Sequence, residues 1–180
     1  SMAKLAGVDT YLGPEMKSTG EVMGVDYSFS GAVSKALMAS GLMLPPKGSV
    51  LLSVADHHKA EAIPIFKNLS KAGYTLYATN GTAETIRGLG LDVITTPKLL
   101  NEDHPNVLDV IMNGTVNAVI NTVSGDRAVL QDGYRIRRAA VDMRIPCFTS
   151  LDTARAVVES LCSDPHDYNV KPLRTYLLGE

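Results

Sequence analysis

From residue 49 onward the chain alternates short apolar runs with amphipathic segments, and that alternation admits few folds. Residues 49–54, 75–79, 91–95, 118–121 and 146–149 read as strands. Runs this brief and this apolar suit strands covered on both faces, as in a parallel sheet. Between them lie stretches with helical spacing at 56–72, 83–89, 107–112, 134–143 and 153–162, the first with Asp56 as its N-cap. Pro64 falls inside that first stretch and is expected to kink it or restart it near its first turn. Strand and helix in this rhythm predict an α/β domain: a doubly wound, mainly parallel, five-stranded sheet with helices on both faces.

Residues 1–48 differ. Leu12-Gly13-Pro14 and Lys17-Ser18-Thr19-Gly20 break any periodicity, so 1–27 reads as an irregular lead-in. A helix over 28–40 follows, with Phe29, Val33, Ala36 and Leu37 on one face and Gly41 as its stop. Pro45-Pro46-Lys47-Gly48 is a linker or turn, which sets the domain at 48–180.

The totals limit what such a domain can do. A chain of 180 residues with net charge −2 has no overall basic field for nucleic acid or anionic lipid. A small anion needs only a few donors and is not excluded by that balance. Two cysteines, Cys147 and Cys162, make no disulfide framework and suit a reducing cytoplasm. No apolar run approaches the roughly 18 residues of a membrane span, and no signal peptide is evident. Ser1-Met2 reads as a cloning scar.

In doubly wound sheets ligands sit outside the carboxyl ends of the strands. The loops there carry Ser53 to Lys59, then Thr79-Asn80-Gly81-Thr82, then Thr96-Pro97-Lys98, then Asn121-Thr122-Val123-Ser124-Gly125-Asp126-Arg127. Gly81 lets backbone N–H groups approach a ligand, the two threonines add hydroxyls, and the next helix aims its positive end at the same place. Lys59 and Lys98 are candidate counter-charges. Taken alone, Thr-Asn-Gly-Thr is more often ordinary turn and capping chemistry. Four such loops on one rim turn the reading toward phosphate.

Other groups carry less. His57, His58, His104 and His166 lack metal-ligand spacing. Arg135, Arg137, Arg138 and Arg144 offer a grip for an anion but read more readily as a solvated helix face, and Cys147 reads as core. Asp126 and Asp132 lack a partner that would make either a general base.

Two stretches carry a resemblance. Residues 12–24, Leu-Gly-Pro-Glu-Met-Lys-Ser-Thr-Gly-Glu-Val-Met-Gly, resemble the end of the second ATP-grasp unit of carbamoyl-phosphate synthase large subunits. Residues 48–165 resemble the methylglyoxal synthase-like domain that ends the same subunit, in the family's own order. The resemblance implies a cytoplasmic, non-catalytic regulatory domain that binds a nucleoside monophosphate, UMP or IMP. The parent subunit would use ATP with Mg or Mn and pair with a glutamine-hydrolysing small subunit, making carbamoyl phosphate for pyrimidine and arginine synthesis. It implies effector contacts from Ser53, Lys59, Thr79, Gly81, Thr82, Lys98, Asn121, Thr122, Ser124 and Gly125, with no catalytic residue, metal ligand or cofactor in this stretch.

Departures accompany it. Val123 stands where many relatives have threonine, and Asp126 where arginine is common; an acid beside a phosphate is unfavourable unless a cation such as Arg127 offsets it. Cys147-Phe148-Thr149 replaces the Tyr-Asp-Thr of ornithine-responsive relatives, so no ornithine contact is expected there. Methylglyoxal synthase itself carries Gly-Gly-Asp and Asp-Pro-Leu where this chain has Thr96-Pro97-Lys98 and Asn121-Thr122-Val123, which removes the catalytic carboxylates. A purine-pathway cyclohydrolase of the same fold is disfavoured by the ATP-grasp remnant. A vestigial pocket in a module serving only oligomerisation stays open.

Overall fold

The structure, a computed structural model, describes residues 7–11, 22–98, 104–122, 127–162 and 170–178. Five strands form one parallel sheet: β1 (Ser49–Ser53), β2 (Thr75–Ala78), β3 (Ile94–Thr95), β4 (Ala118–Asn121) and β5 (Cys147–Phe148). They lie in the order β3-β2-β1-β4-β5, with Leu52 opposite Ala78 on one side and Ile120 on the other. The predicted fold class and strand count hold. Both edge strands are shorter than the apolar runs suggest, because an edge strand has a pairing partner on one side only.

Side chains alternate across this sheet, and each set meets its own helices. Val50, Leu52, Leu76, Ala78, Ala118 and Ile120 face α1 (Phe29–Ser40), α2 (Lys59–Lys71), α3 (Asn80–Gly88) and α6 (Leu151–Cys162). Leu51 and Val119 face α4 (Val107–Met112) and α5 (Arg127–Asp142). Leu51, Leu52, Ile65 and Phe66 are essentially inaccessible to solvent; burying each contributes about 1.5–3 kcal/mol.

Helix ends follow local chemistry where the signal is strong. Ser28 caps α1, its Oγ accepting from the Gly31 N–H at 3.1 Å, and Gly41 stops it at φ 72°. Asn106 and Asp109 form a reciprocal capping box on α4, whose bounds match the expectation. Elsewhere the structure corrects the reading. Asp56 does not cap a helix; it opens a 3₁₀ turn (Asp56–His58) ahead of α2 and pairs with Lys59 at 2.7 Å. Pro64 sits in the second turn of α2, and its missing N–H faces the carbonyl of exposed Ala60, where water can substitute. The helix α3 begins three residues early, so Asn80-Gly81-Thr82 is its first turn and not a loop before it.

Two further corrections concern α5 and the C-terminus. The helix α5 begins at Arg127, seven residues before the expected start at 134, and runs straight through Gly133. A short helix α7 (Leu173–Leu178), which periodicity does not announce, packs back on the lead-in. Tyr27 and Tyr176 rings lie 5.0 Å apart, and Lys35 donates to the Tyr176 hydroxyl at 2.8 Å while pairing with Asp26 at 2.7 Å. Gly24, the last residue of the thirteen-residue signature, runs so close to α1 that a Cβ there would overlap the Ala32 carbonyl. Residues 12–21 of that signature lie outside the described residues.

Candidate functional site

Sheet order reverses between β1 and β4, so the chain leaves their carboxyl ends toward opposite faces and a crevice opens between them. It is lined by Ser53, Val54 and Ala55 after β1, Asn121 and Thr122 at the end of β4, Lys98 after β3, and Asp132, Gly133, Ile136 and Arg137 of α5. Four residues singled out from sequence, Ser53, Lys98, Asn121 and Thr122, therefore share one cleft. Val123, Ser124, Gly125 and Asp126 lie outside the described residues.

Three threonines near the cleft floor are structural ties. Thr122 Oγ1 accepts from the Ala55 N–H at 2.8 Å, and its own N–H donates to the Ser53 carbonyl at 3.1 Å. Thr82 is 1% exposed, and its Oγ1 accepts from the Val54 N–H at 3.1 Å. Thr79 Oγ1 donates to Thr82 Oγ1 at 3.3 Å. These bonds staple the loop after β1 to the start of α3 and the end of β4, which is why the cleft has a fixed floor.

Beside the cleft stands a cationic rim. Lys59 Nζ hangs over the first turn of α3: a Cβ on Gly81 would lie 2.8 Å from it. Thr79, the N-cap, makes no side-chain capping bond, so the donors of that turn face outward with the helix's positive end. Lys59 and Lys98 both act on the exposed Asp56 carboxyl. The Lys59 hydrogen bond and charge hold it below the usual carboxylate range, with Lys98 and His57 adding to the effect. Lys59, Thr79, Gly81 and Thr82 are thus gathered at the α3 start, next to the cleft and not within its lining.

Sequence reasoning missed the cleft's most buried charge. Arg137 is 1% exposed, not part of a solvated helix face. Its Nη1 donates to Asn121 Oδ1 at 2.7 Å, while Nε and Nη2 donate to the two carboxylate oxygens of Asp9 at 2.6 and 2.5 Å. Space for the guanidinium comes from Gly133, one turn earlier on α5, where a Cβ would sit 2.7 Å from Nη1. That mid-helix glycine was the available signal: a helix accepts the cost of glycine where something must approach its backbone closely. Arg138, by contrast, pairs along the helix with Asp142 at 2.8 Å, as a surface arginine does. Burial pushes the Asp9 carboxyl up, but the Arg137 hydrogen bonds and charge, with the Tyr11 and Thr10 N–H groups, outweigh it and leave the carboxyl below its usual range. Cys147, half-buried, packs against the Leu51 and Val119 side of the sheet, and burial pushes its thiol up to about 12, which disfavours the thiolate.

A parallel sheet of this order, with a polar cleft at its switch point, defines a doubly wound α/β domain. Residues 61–149 match the family described as the MGS-like domain, and this stretch of the chain belongs to that family. Over all 180 residues it is 48% identical to the carbamoyl phosphate synthase large chain of Thermomicrobium roseum (strain ATCC 27502 / DSM 5159 / P-2), and it spans 17% of that relative's length. A crystal structure of methylglyoxal synthase from Elizabethkingia anophelis NUHP1 matches with a TM-score of 0.50, covering 74% of this chain and 92% of that one; at 20% identity it speaks for the fold alone. Among the described residues, no helix is long and apolar enough to cross a membrane.

Proposed function

We propose that this chain is the allosteric effector-binding domain of a carbamoyl-phosphate synthase large subunit, and that its cleft takes a nucleoside monophosphate such as UMP or IMP. The observation that carries the reading is the convergence of Ser53, Lys98, Asn121, Thr122 and the buried Arg137 at the switch point, beside the lysine-flanked start of α3. Lys59, Lys98 and the first-turn N–H groups of α3 suit a phosphate. The polar groups of Asn121, Thr122 and Asp132 suit the hydroxyls and base edge of the rest of the ligand.

The domain catalyses nothing itself, and the ATP-dependent ligase chemistry with its metal belongs to the remainder of the subunit. Residues 1–27 form the end of the second ATP-grasp unit and 28–47 the connection. Met23, Met38 and Leu173, exposed and lining one surface groove, offer an apolar area on which that remainder packs. An effector acts through its differential affinity for two packings of the domain on its neighbour.

Thermal unfolding of the 180-residue chain with UMP, IMP, ornithine and dihydroxyacetone phosphate tests the reading. At a hundred times its dissociation constant a ligand stabilises by about 2.7 kcal/mol, a midpoint rise of roughly 5–11 °C. A saturable rise with UMP or IMP that Lys98→Ala abolishes is the expected result. No rise with either nucleotide at millimolar concentration overturns it.

A further inference from the structure

The cationic rim beside the cleft carries an acid of its own. Asp56 opens the 3₁₀ turn after β1, and its Oδ1 lies 2.7 Å from Lys59 Nζ. The two partners differ in access: the Lys59 side chain is 20% exposed and that of Asp56 is 94% exposed. The ammonium is pressed toward the first turn of α3, where a Cβ on Gly81 would lie 2.8 Å from it, and the carboxylate stands on its solvent side. Lys98 acts on the same carboxylate, as does His57. Lys98 also lines the cleft together with Ala55, the residue before Asp56. The two lysines suited to a ligand phosphate are therefore the two that already face Asp56.

The fold itself asks little of this acid. Asp56 caps neither the 3₁₀ turn nor α2, and Lys59 is its ion-pair partner among the described residues. A solvent-exposed pair of that kind adds little to stability. Its consequence falls on what the rim can bind.

We propose that Asp56 is a charge filter at the effector site: its carboxylate offsets one of the two lysine charges, so that the rim accepts a single phosphate and disfavours anions of higher charge. The inference rests on the rim being the place of the ligand's phosphate. An ammonium has three N–H donors, so a phosphate binds Lys59 beside Asp56 and not in its stead. Two anions sharing one ammonium lie about 5 Å apart, and under water-like screening each unit of ligand charge then costs about two- to fourfold in affinity. A neutral ligand loses nothing. A phosphate monoester, with a charge of about −1.5 to −2 at neutral pH, loses roughly three- to fifteenfold, and a diphosphate loses more. Selectivity of this kind comes from a repulsive element, not from an added contact.

Calorimetric titration of the 180-residue chain with uridine, UMP and UDP, and with inosine, IMP and IDP, tests the filter against Asp56→Asn and Asp142→Asn. Asp142 pairs with Arg138 at the far end of α5, away from the helix starts, and controls for net charge alone. Asp56→Asn is expected to tighten the monophosphate by roughly three- to fifteenfold and the diphosphate by a larger factor, while the nucleoside stays within about twofold. Asp142→Asn is expected to change none of them beyond about twofold. Monophosphate affinity that is unchanged or weaker in Asp56→Asn overturns the filter and leaves the effector site standing; a weaker one makes Asp56 the residue that holds Lys59 in place. A gain of equal size in Asp142→Asn overturns it too, as does an equal gain for the nucleoside. Where the nucleoside binds too weakly to measure, a diphosphate gain no larger than the monophosphate gain overturns the filter. Absence of binding by either monophosphate in all three proteins overturns the effector site and the filter together.

Discussion

Gly133→Ala sets two known effects against each other at one atom. In the middle of α5 alanine is favoured over glycine by about 0.8–1.0 kcal/mol, so helix propensity alone predicts a stabler protein. The new Cβ, however, would sit 2.7 Å from Arg137 Nη1 and 3.3 Å from Asn121 Oδ1. A long side chain could move aside on a surface, but Arg137 is 1% exposed and held at three points. Retreat breaks the bond to Asn121, and a hydrogen bond to a charged group contributes about 1.5–3 kcal/mol. The net is a loss of about 0.5–2 kcal/mol, or a fall in Tm of roughly 1–8 °C for a chain of this size. Urea and thermal unfolding measure it, with Gly88→Ala as control. Gly88 ends α3 and a Cβ there meets nothing within 4 Å, so that substitution is expected to be neutral or stabilising. A rise in stability for Gly133→Ala would refute the reasoning, because it would mean the guanidinium does not need the space the glycine leaves.

Thr82→Val is expected to lower stability by about 1–3 kcal/mol by leaving the buried Val54 N–H without an acceptor, while Thr82→Ser keeps most of it; denaturant midpoints distinguish the two. Gly81→Ala should leave stability within about 1 kcal/mol of the parent, since the Cβ meets only the mobile end of Lys59, yet weaken nucleotide binding by pushing that ammonium off the start of α3; calorimetry reads the affinity. Asp9 has a folded pKa below its ordinary 3.8, so its docking contribution is complete above that pH and is lost as pH falls through the lower folded value. Exchange protection of residues 7–11 should therefore hold from neutral pH to about 4 and disappear below it, and protection lost near pH 6 would contradict the Asp9–Arg137 pairing.

Much of the fold was legible because the information was local. Short, continuous apolar runs named β1, β2 and β4, and Gly41 marked the end of α1 by stop chemistry confined to a single turn. The α5 boundary was not legible. Gly133 reads as a breaker in isolation, and only the guanidinium packed against it explains why the helix continues. The start of α3 was missed for a similar reason: asparagine and glycine are poor helix formers, and the bond from Val54 N–H to Thr82 Oγ1 holds them in a first turn.

Residues of the candidate site divide the same way. Ser53, Lys98, Asn121 and Thr122 could be found from sequence because a parallel sheet brings its strand ends to one rim whatever the loops contain. Arg137 was not separated from the other three, since one arginine among four on a helix looks like its neighbours unless Gly133 is read as space made for it. Asp9 is further removed still. Nothing in the lead-in's composition ties it to a residue 128 positions away, because the pairing is fixed by where the chain's first segment meets α5. The sequence by itself determined the layers, the strand ends and the character of the rim, all of which follow from periodicity and short-range hydrogen bonding. Which charge is buried, and which carboxylate answers it, was decided by tertiary packing alone, because a guanidinium leaves water only where space, acceptors and a counter-ion converge.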